Sequence, residues 1–196
     1  MVMTMKILFI NGSPRKNGLT ATILSAIRDN ILPDHDIEWF NVYDLKIKPC
    51  YGCLKCRPNK GCVLPYDDAH LFAEKIRQAD ILIIGSPTYW GNIPGPLKTL
   101  FDRNVTTFEY VEAKSMYKRP VPQLRGKKAI IVVSSGTQFP YNQLLSQSRG
   151  AIMALKTILK SGGIKILKIL NISSSYDFSK NKDKWIRKAK RIGESL

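Results

Sequence analysis

The stretch Ile7-Leu8-Phe9-Ile10-Asn11-Gly12-Ser13-Pro14-Arg15-Lys16-Asn17-Gly18-Leu19-Thr20 decides the fold. Its opening run of large apolar residues reads as a strand buried on both faces, as in a parallel sheet. A turn rich in Gly, Ser, Pro and Asn follows. Thr20–Leu32 then places Leu24, Ile27 and Ile31 on one side of a helix. A strand passing to a helix through a glycine-bearing loop is the repeating unit of a wound α/β sheet. Such a loop can cradle an anion. Glycines permit tight backbone turns, N–H groups at the helix start point outward, Ser13 and Thr20 add hydroxyl donors, and Arg15 or Lys16 adds positive charge. The spacing is neither a Walker A sequence nor a three-glycine dinucleotide fingerprint, so a terminal monophosphate is the expected guest. The same residue types also make an ordinary strand-to-helix turn.

Outward from this unit the pattern repeats. Ile37–Tyr43, Ile81–Ile84, Ala129–Val133 and Ile164–Leu170 read as further strands. Asp68–Ala79 opens on the acidic pair Asp67-Asp68 and aligns Ala69, Phe72, Ala73 and Ile76 on one helical face. Pro96–Asn104 carries a first-turn proline, with Leu97, Leu100 and Phe101 facing a core. Gln143–Lys160 aligns Leu145, Ile152, Leu155 and Leu159 and stops at Gly162-Gly163. A tail helix brings Trp185, Ile186, Ala189 and Ile192 together. Five strands alternate with five helices, and no repeat or linker divides the chain, so residues 1–196 read as one domain. Two intervals exceed the minimal pattern. A cysteine-rich loop spans 44–66. A long loop at 105–126 holds Phe108, Tyr110, Met116, Tyr117, Pro120 and Pro122, aromatic and proline positions expected to serve packing or a subunit contact.

After the third strand comes Ser86-Pro87-Thr88-Tyr89-Trp90-Gly91-Asn92-Ile93-Pro94-Gly95-Pro96. At the carboxyl end of a central strand this loop lies where ligands bind in such sheets, and Tyr89, Trp90 and Gly91 would present aromatic surface and close backbone to a flat ligand. With the first loop, and with Ser86, Pro87, Tyr89, Leu97, Lys98, Asp102 and Arg103 in order, roughly residues 5–170 resemble the NAD(P)H-dependent FMN reductases of the flavodoxin-like group. The resemblance implies a doubly wound five-stranded parallel sheet of order 2-1-3-4-5 with helices on both faces. It implies FMN with its phosphate on Ser13, Arg15, Asn17, Gly18, Leu19 and Thr20, where Leu19 replaces a frequently polar residue and contributes only its backbone N–H. The flavin ring would lie on Pro87, Thr88, Tyr89, Trp90, Gly91 and Asn92, and a third loop would add Ser135 and Gly136. NAD(P)H would deliver hydride to flavin N5 with no acid–base residue assigned. The electrons would pass to a quinone, free flavin, ferric chelate or nitro compound. The resemblance also implies a homodimer or homotetramer, one subunit's long loop reaching a neighbour's flavin.

Cys50, Cys53, Cys56 and Cys62 are spaced C-x2-C-x2-C-x5-C. Three thiolates at intervals of three residues can wrap one face of a cuboidal cluster, which a fourth can close. The run resembles that of the iron–sulfur flavoproteins, a branch of the same family, and this likeness implies a [4Fe-4S] cluster on the four cysteines. Zinc and free thiols are the alternatives. Lys46, Lys48, Lys55, Arg57 and Lys60 surround the cysteines with no acidic residue between positions 46 and 62, a setting expected to lower thiol pKa.

The formal net charge is +16, and residues 180–191 hold seven Lys or Arg and one Asp. The amphipathic tail reads first as a core-packed helix with its basic side in water. The basic surface also suits an acidic reduced ferredoxin, which frames a second reading as an electron carrier. A third reading is a non-enzymatic flavin or redox sensor with its tail on nucleic acid, the less favoured partner. No basic segment precedes a short apolar run with a cleavage site, and no apolar run approaches the roughly 20 residues of a membrane span. A soluble cytoplasmic protein with no membrane partner is expected. His35 and His70 read as surface or helix-packing residues, and no hydrolase pattern is present.

Overall fold

The computed structural model describes residues 4–59, 61–111 and 120–196. Lys60, Met116 and Tyr117, named above, lie outside the described residues.

The chain opens with β1 (Lys6–Asn11), α1 (Leu19–Arg28) and β2 (Asp36–Asn41). Among the described residues the cysteine segment contains α2 (Cys56–Asn59), and it leads to α3 (Asp68–Gln78), β3 (Ile81–Pro87) and α4 (Gly95–Arg103). Next come α5 (Val105–Phe108), β4 (Glu109–Val111), β5 (Pro120–Pro122) and β6 (Lys128–Ser134). The last elements are α6 (Tyr141–Leu144), α7 (Gln147–Ser161), β7 (Lys165–Ile172) and α8 (Phe178–Gly193). The main sheet has five parallel strands in the order β2-β1-β3-β6-β7. Discounting the two hairpin strands, this is the expected flavodoxin-like order.

Helices cover both faces. One face buries Leu8, Ile10, Leu82, Ile84, Ile131 and Val133 against α3, α4 and α7. The other buries Ile7, Phe9, Ile83, Ile130 and Val132 against α1 and α8. Alternate residues of each central strand thus serve opposite cores, which is why the runs at their centres are apolar on both faces. The tail helix behaves as its periodicity foretold. Ala189 and Ile192 are buried, Trp185 and Ile186 pack beside them, and Lys184 and Lys188 lie over the Trp185 ring.

Two expectations are corrected and a third is narrowed. The segment 105–126 is not simply a loop. It begins as α5 and forms the antiparallel pair β4–β5, while Phe108 is fully buried and packs edge-on against Phe101 at 5.7 Å. The periodic run 143–160 is two helices, because Ser146 takes a left-handed φ of 58°. Leu145, expected in the core, is 64% exposed, and Asn142 is buried instead, donating from Nδ2 to Ser148 Oγ at 3.1 Å. Of the two roles expected for His35, surface or packing, burial removes the first. Its Nδ1 accepts from Met5 N–H at 3.3 Å, and its Nε2 lies 3.3 Å from the Leu196 carbonyl.

Among the described residues no helix is long and apolar enough to cross a membrane.

Candidate functional site

Three loops meet at the carboxyl ends of β1, β3 and β6. The first is held open from within. Asn11 Oδ1 accepts from Ser13 N–H at 3.2 Å, Ser13 Oγ accepts from Arg15 N–H at 3.2 Å, and Gly18 N–H donates to the Arg15 carbonyl at 3.0 Å. Gly18 is the N-cap of α1 and offers no side-chain oxygen. The first-turn N–H groups of α1, Leu19 and Thr20 included, therefore face outward for an external acceptor at the positive end of the helix. Arg15 and Asn17 are exposed beside them, while Lys16 is drawn aside into an exposed ion pair with Asp44 at 2.8 Å.

The second loop forms a tight two-residue turn. Tyr89 and Asn92 exchange both backbone hydrogen bonds at 2.9 Å, and Trp90 and Gly91 both take positive φ, 51° and 74°. This is the geometry of a type I′ turn, which favours Gly or Asn at both central positions. Trp90 is fully exposed at its tip, and Asn92 Oδ1 accepts from Ile93 N–H at 2.8 Å. Pro87 and Thr88 are half-buried at the base, where Thr88 N–H donates to the Ser134 carbonyl at 2.9 Å.

Two further contacts bind the loops into one crevice. Gly12 N–H donates to the Gly85 carbonyl at 2.8 Å, and the buried Thr20 and Ser134 hydroxyls lie 3.1 Å apart. The third loop is held by bonds within the fold. Ser135 is buried, gives its N–H to the Ile172 carbonyl and accepts from Thr137 N–H, and Gly136 lies beneath the exposed Tyr176 ring. Sequence reasoning missed Tyr43, just past β2. Partial burial, and after it the like charge of the Tyr89 phenol, pushes its phenol above the ordinary value.

The cysteine segment is pinned by the acids that start α3. Lys46 N–H donates to Asp68 Oδ2 at 2.6 Å, and Lys48 N–H to Asp67 Oδ2 at 3.3 Å. Asp67 also caps α3 in a capping box completed by His70. His70 Nδ1 accepts from Asp67 N–H, so the network assigns the proton to Nε2, which lies 3.1 Å from the Cys62 carbonyl. All four cysteines line one cavity of about 90 Å³ with Arg57, Asp102 and Arg103. Cys50 and Cys53 are exposed, Cys56 and Cys62 half-buried. Among the described residues no three His, Cys, Asp or Glu side chains are gathered closely enough to hold a metal ion. The expectation of lowered thiol pKa fails at Cys56. Burial pushes that thiol up, and the Arg57 charge only partly opposes it.

Two observations bear on what the cavity suits. A buried Arg57 Nη1 on its wall finds no hydrogen-bond partner among the described residues, and the fully buried Arg103 donates from Nε to Cys62 Sγ at 3.2 Å. Arg57 and Arg103 line the cavity together with the four cysteines, a donor set whose chemistry suits an anionic thiolate centre.

The model of the family described as NADPH-dependent FMN reductase matches residues 5–167. An iron–sulfur flavoprotein of Archaeoglobus fulgidus is 41% identical over 101 residues, covering 51% of this chain and 49% of that protein. One from Clostridioides difficile is 33% identical over 140 residues, 67% of this chain and 60% of that protein. The chain spans about half the length of the curated relatives it matches. The crystal structure of Smu.1420 from Streptococcus mutans UA159 superposes with a TM-score of 0.78 at 22% identity over 98% of this chain and all of that one, a likeness of fold. With the strand order, the loop after β1 and a family match running from β1 into β7, this chain belongs to the NADPH-dependent FMN reductase family.

Proposed function

We propose that the chain is an FMN-dependent oxidoreductase that takes electrons from NAD(P)H and passes them to a small acceptor such as a quinone, a free flavin or a ferric chelate. The observation that carries this reading is the convergence of the loops after β1 and β3 beside the side-chain-free N-terminus of α1. A terminal phosphate suits the N–H groups of Leu19 and Thr20, with the Ser13 and Thr20 hydroxyls, Arg15 and Asn17 at its rim, while Gly18, its own N–H held by the Arg15 carbonyl, leaves the approach clear of a side chain. The ring suits the Pro87–Asn92 turn, where Gly91 brings backbone close and Trp90 and Tyr89 offer aromatic faces. Ser135, its backbone N–H and carbonyl both bonded within the fold, fixes the third loop, and Gly136 closes that side beneath Tyr176. Bound there, FMN supplies hydride acceptance and one-electron transfer, and the chain's part is binding, orientation and exclusion of water.

The four cysteines, on this reading, hold a [4Fe-4S] cluster, and the iron–sulfur flavoprotein relatives support it. Exposed Cys50 and Cys53 give such a cluster an open side for exchange with an acceptor. The exposed side chains of Trp90, Phe139, Tyr141 and Leu144 support a homo-oligomer in which a neighbouring copy covers the ring. The net charge of +16 favours a second reading, in which an acidic reduced ferredoxin feeds the cluster.

Anaerobic purification with added FMN tests the first claim by visible absorption and quenching of flavin fluorescence. Binding is expected; colourless protein that leaves flavin fluorescence unquenched overturns it. Oxidation of NADH or NADPH with a quinone separates the two readings, since turnover only with a reduced carrier protein favours the second.

A further inference from the structure

The first three cysteines sit three residues apart, but Cys62 follows Cys56 by six positions, beyond α2, and needs an anchor of its own. The anchor comes from far along the chain. Arg103, the last residue of α4, donates from Nε to Cys62 Sγ at 3.2 Å, across 41 positions of sequence. Its remaining donors reach the two flanks of the cysteine segment. Nη1 bonds the Lys48 carbonyl at 2.6 Å and Asp67 Oδ2 at 2.7 Å, and Nη2 bonds Asp67 Oδ1 at 3.0 Å. One fully buried guanidinium therefore ties the chain before Cys50, the helix cap after Cys62 and the Cys62 sulfur into a single unit.

We propose that Arg103 is the positioning residue that places Cys62 in the ligand set and tunes the bound centre through its hydrogen bond to the Cys62 sulfur. This rests on the reading of the cysteines as cluster ligands. Asp67 alone satisfies the charge of Arg103, so the ion pair does not require the bond to sulfur. A neutral thiol is a weak acceptor, whereas an anionic, metal-bound sulfur accepts a charge-assisted bond strongly. Donation to a ligand sulfur withdraws charge from a cluster and makes it easier to reduce. Lysine cannot substitute, because a point charge lacks the fork that reaches Lys48, Asp67 and Cys62 at once.

The test compares wild type with Arg103→Lys and Arg103→Gln after anaerobic reconstitution with iron and sulfide. Circular dichroism and FMN titration report which variants keep the fold. The readouts are iron per chain, the rate of iron loss to a chelator and the midpoint potential followed by EPR. Both variants are expected to lose iron about tenfold faster, in line with the usual effect of an outer-shell partner, and to shift the potential of the remaining cluster to more negative values. A folded variant that matches wild type in iron loss and potential overturns the inference, as does one that only melts at lower temperature. Wild type that takes up no iron overturns the reading of the cysteines, and the inference with it.

Discussion

Gly150, in the first turns of α7, lies directly under Gly91: a Cβ at Gly150 would stand 2.0 Å from the Gly91 carbonyl oxygen. The Tyr89–Asn92 turn is thus seated on a helix through two residues without side chains. Ser146 adds to the seat, since its carbonyl would lie 3.1 Å from a Cβ at Gly91. Gly150→Ala gains about 1 kcal/mol of helix propensity, but the clash is with backbone, which cannot swing aside. Overpacking of this kind costs about 1–3 kcal/mol, so a net loss of stability and weaker FMN binding are expected. Thermal melts and flavin titration check this; a variant more stable than wild type with equal FMN affinity contradicts the seat.

Trp90 holds a left-handed φ and is fully exposed, so the fold gains little from its side chain. Relief of that strain is worth about 1 kcal/mol. Trp90→Gly should therefore raise the melting temperature while weakening FMN binding, the sign of strain kept for function. A stabilised variant with unchanged flavin affinity would remove Trp90 from the ring site.

Thr20 reaches both Ser134 and the proposed phosphate seat. Thr20→Val preserves shape, leaves the Ser134 hydroxyl short of a partner, and should cost about 1–2 kcal/mol of stability. Its affinity for FMN should fall more than its affinity for riboflavin, which lacks the phosphate. Equal losses for the two flavins would place the phosphate elsewhere.

Burial alone would raise the Asp67 carboxyl, but the Arg103 fork and the backbone N–H groups of Lys48 and Ala69 hold it below its ordinary value. A depressed folded pKa stabilises the fold above the unfolded value, about 3.9 for Asp, and that stabilisation is lost as pH falls through the lower folded value. Asp67→Asn leaves a buried guanidinium without its partner and should cost about 3 kcal/mol at neutral pH. The deficit should shrink as the solution is acidified below about pH 4, where the wild-type carboxyl protonates in the unfolded chain first. Urea denaturation across pH measures this; a deficit constant from neutral pH to strong acid would show that the carboxylate charge is not what matters.

The aliphatic runs, the acidic cap at Asp67-Asp68, the proline opening α4 and the glycine stop after α7 were readable because each is a local signal. A strand buried on both faces must be apolar throughout, and a helix end must satisfy its own backbone. From these the wound sheet, the loops after β1 and β3 and the cysteine segment follow. The break at Ser146 was not readable, because Leu145 continues the apolar period whether it meets a core or water. Nor was the path from Arg103 to Cys62, the seat of Gly91 on Gly150, or the capping role of His70 beside Cys62. Each depends on which surfaces the helices bring together once the sheet is formed. The chain alone therefore determined the elements and the loops between them, while packing decided which residues across those loops touch.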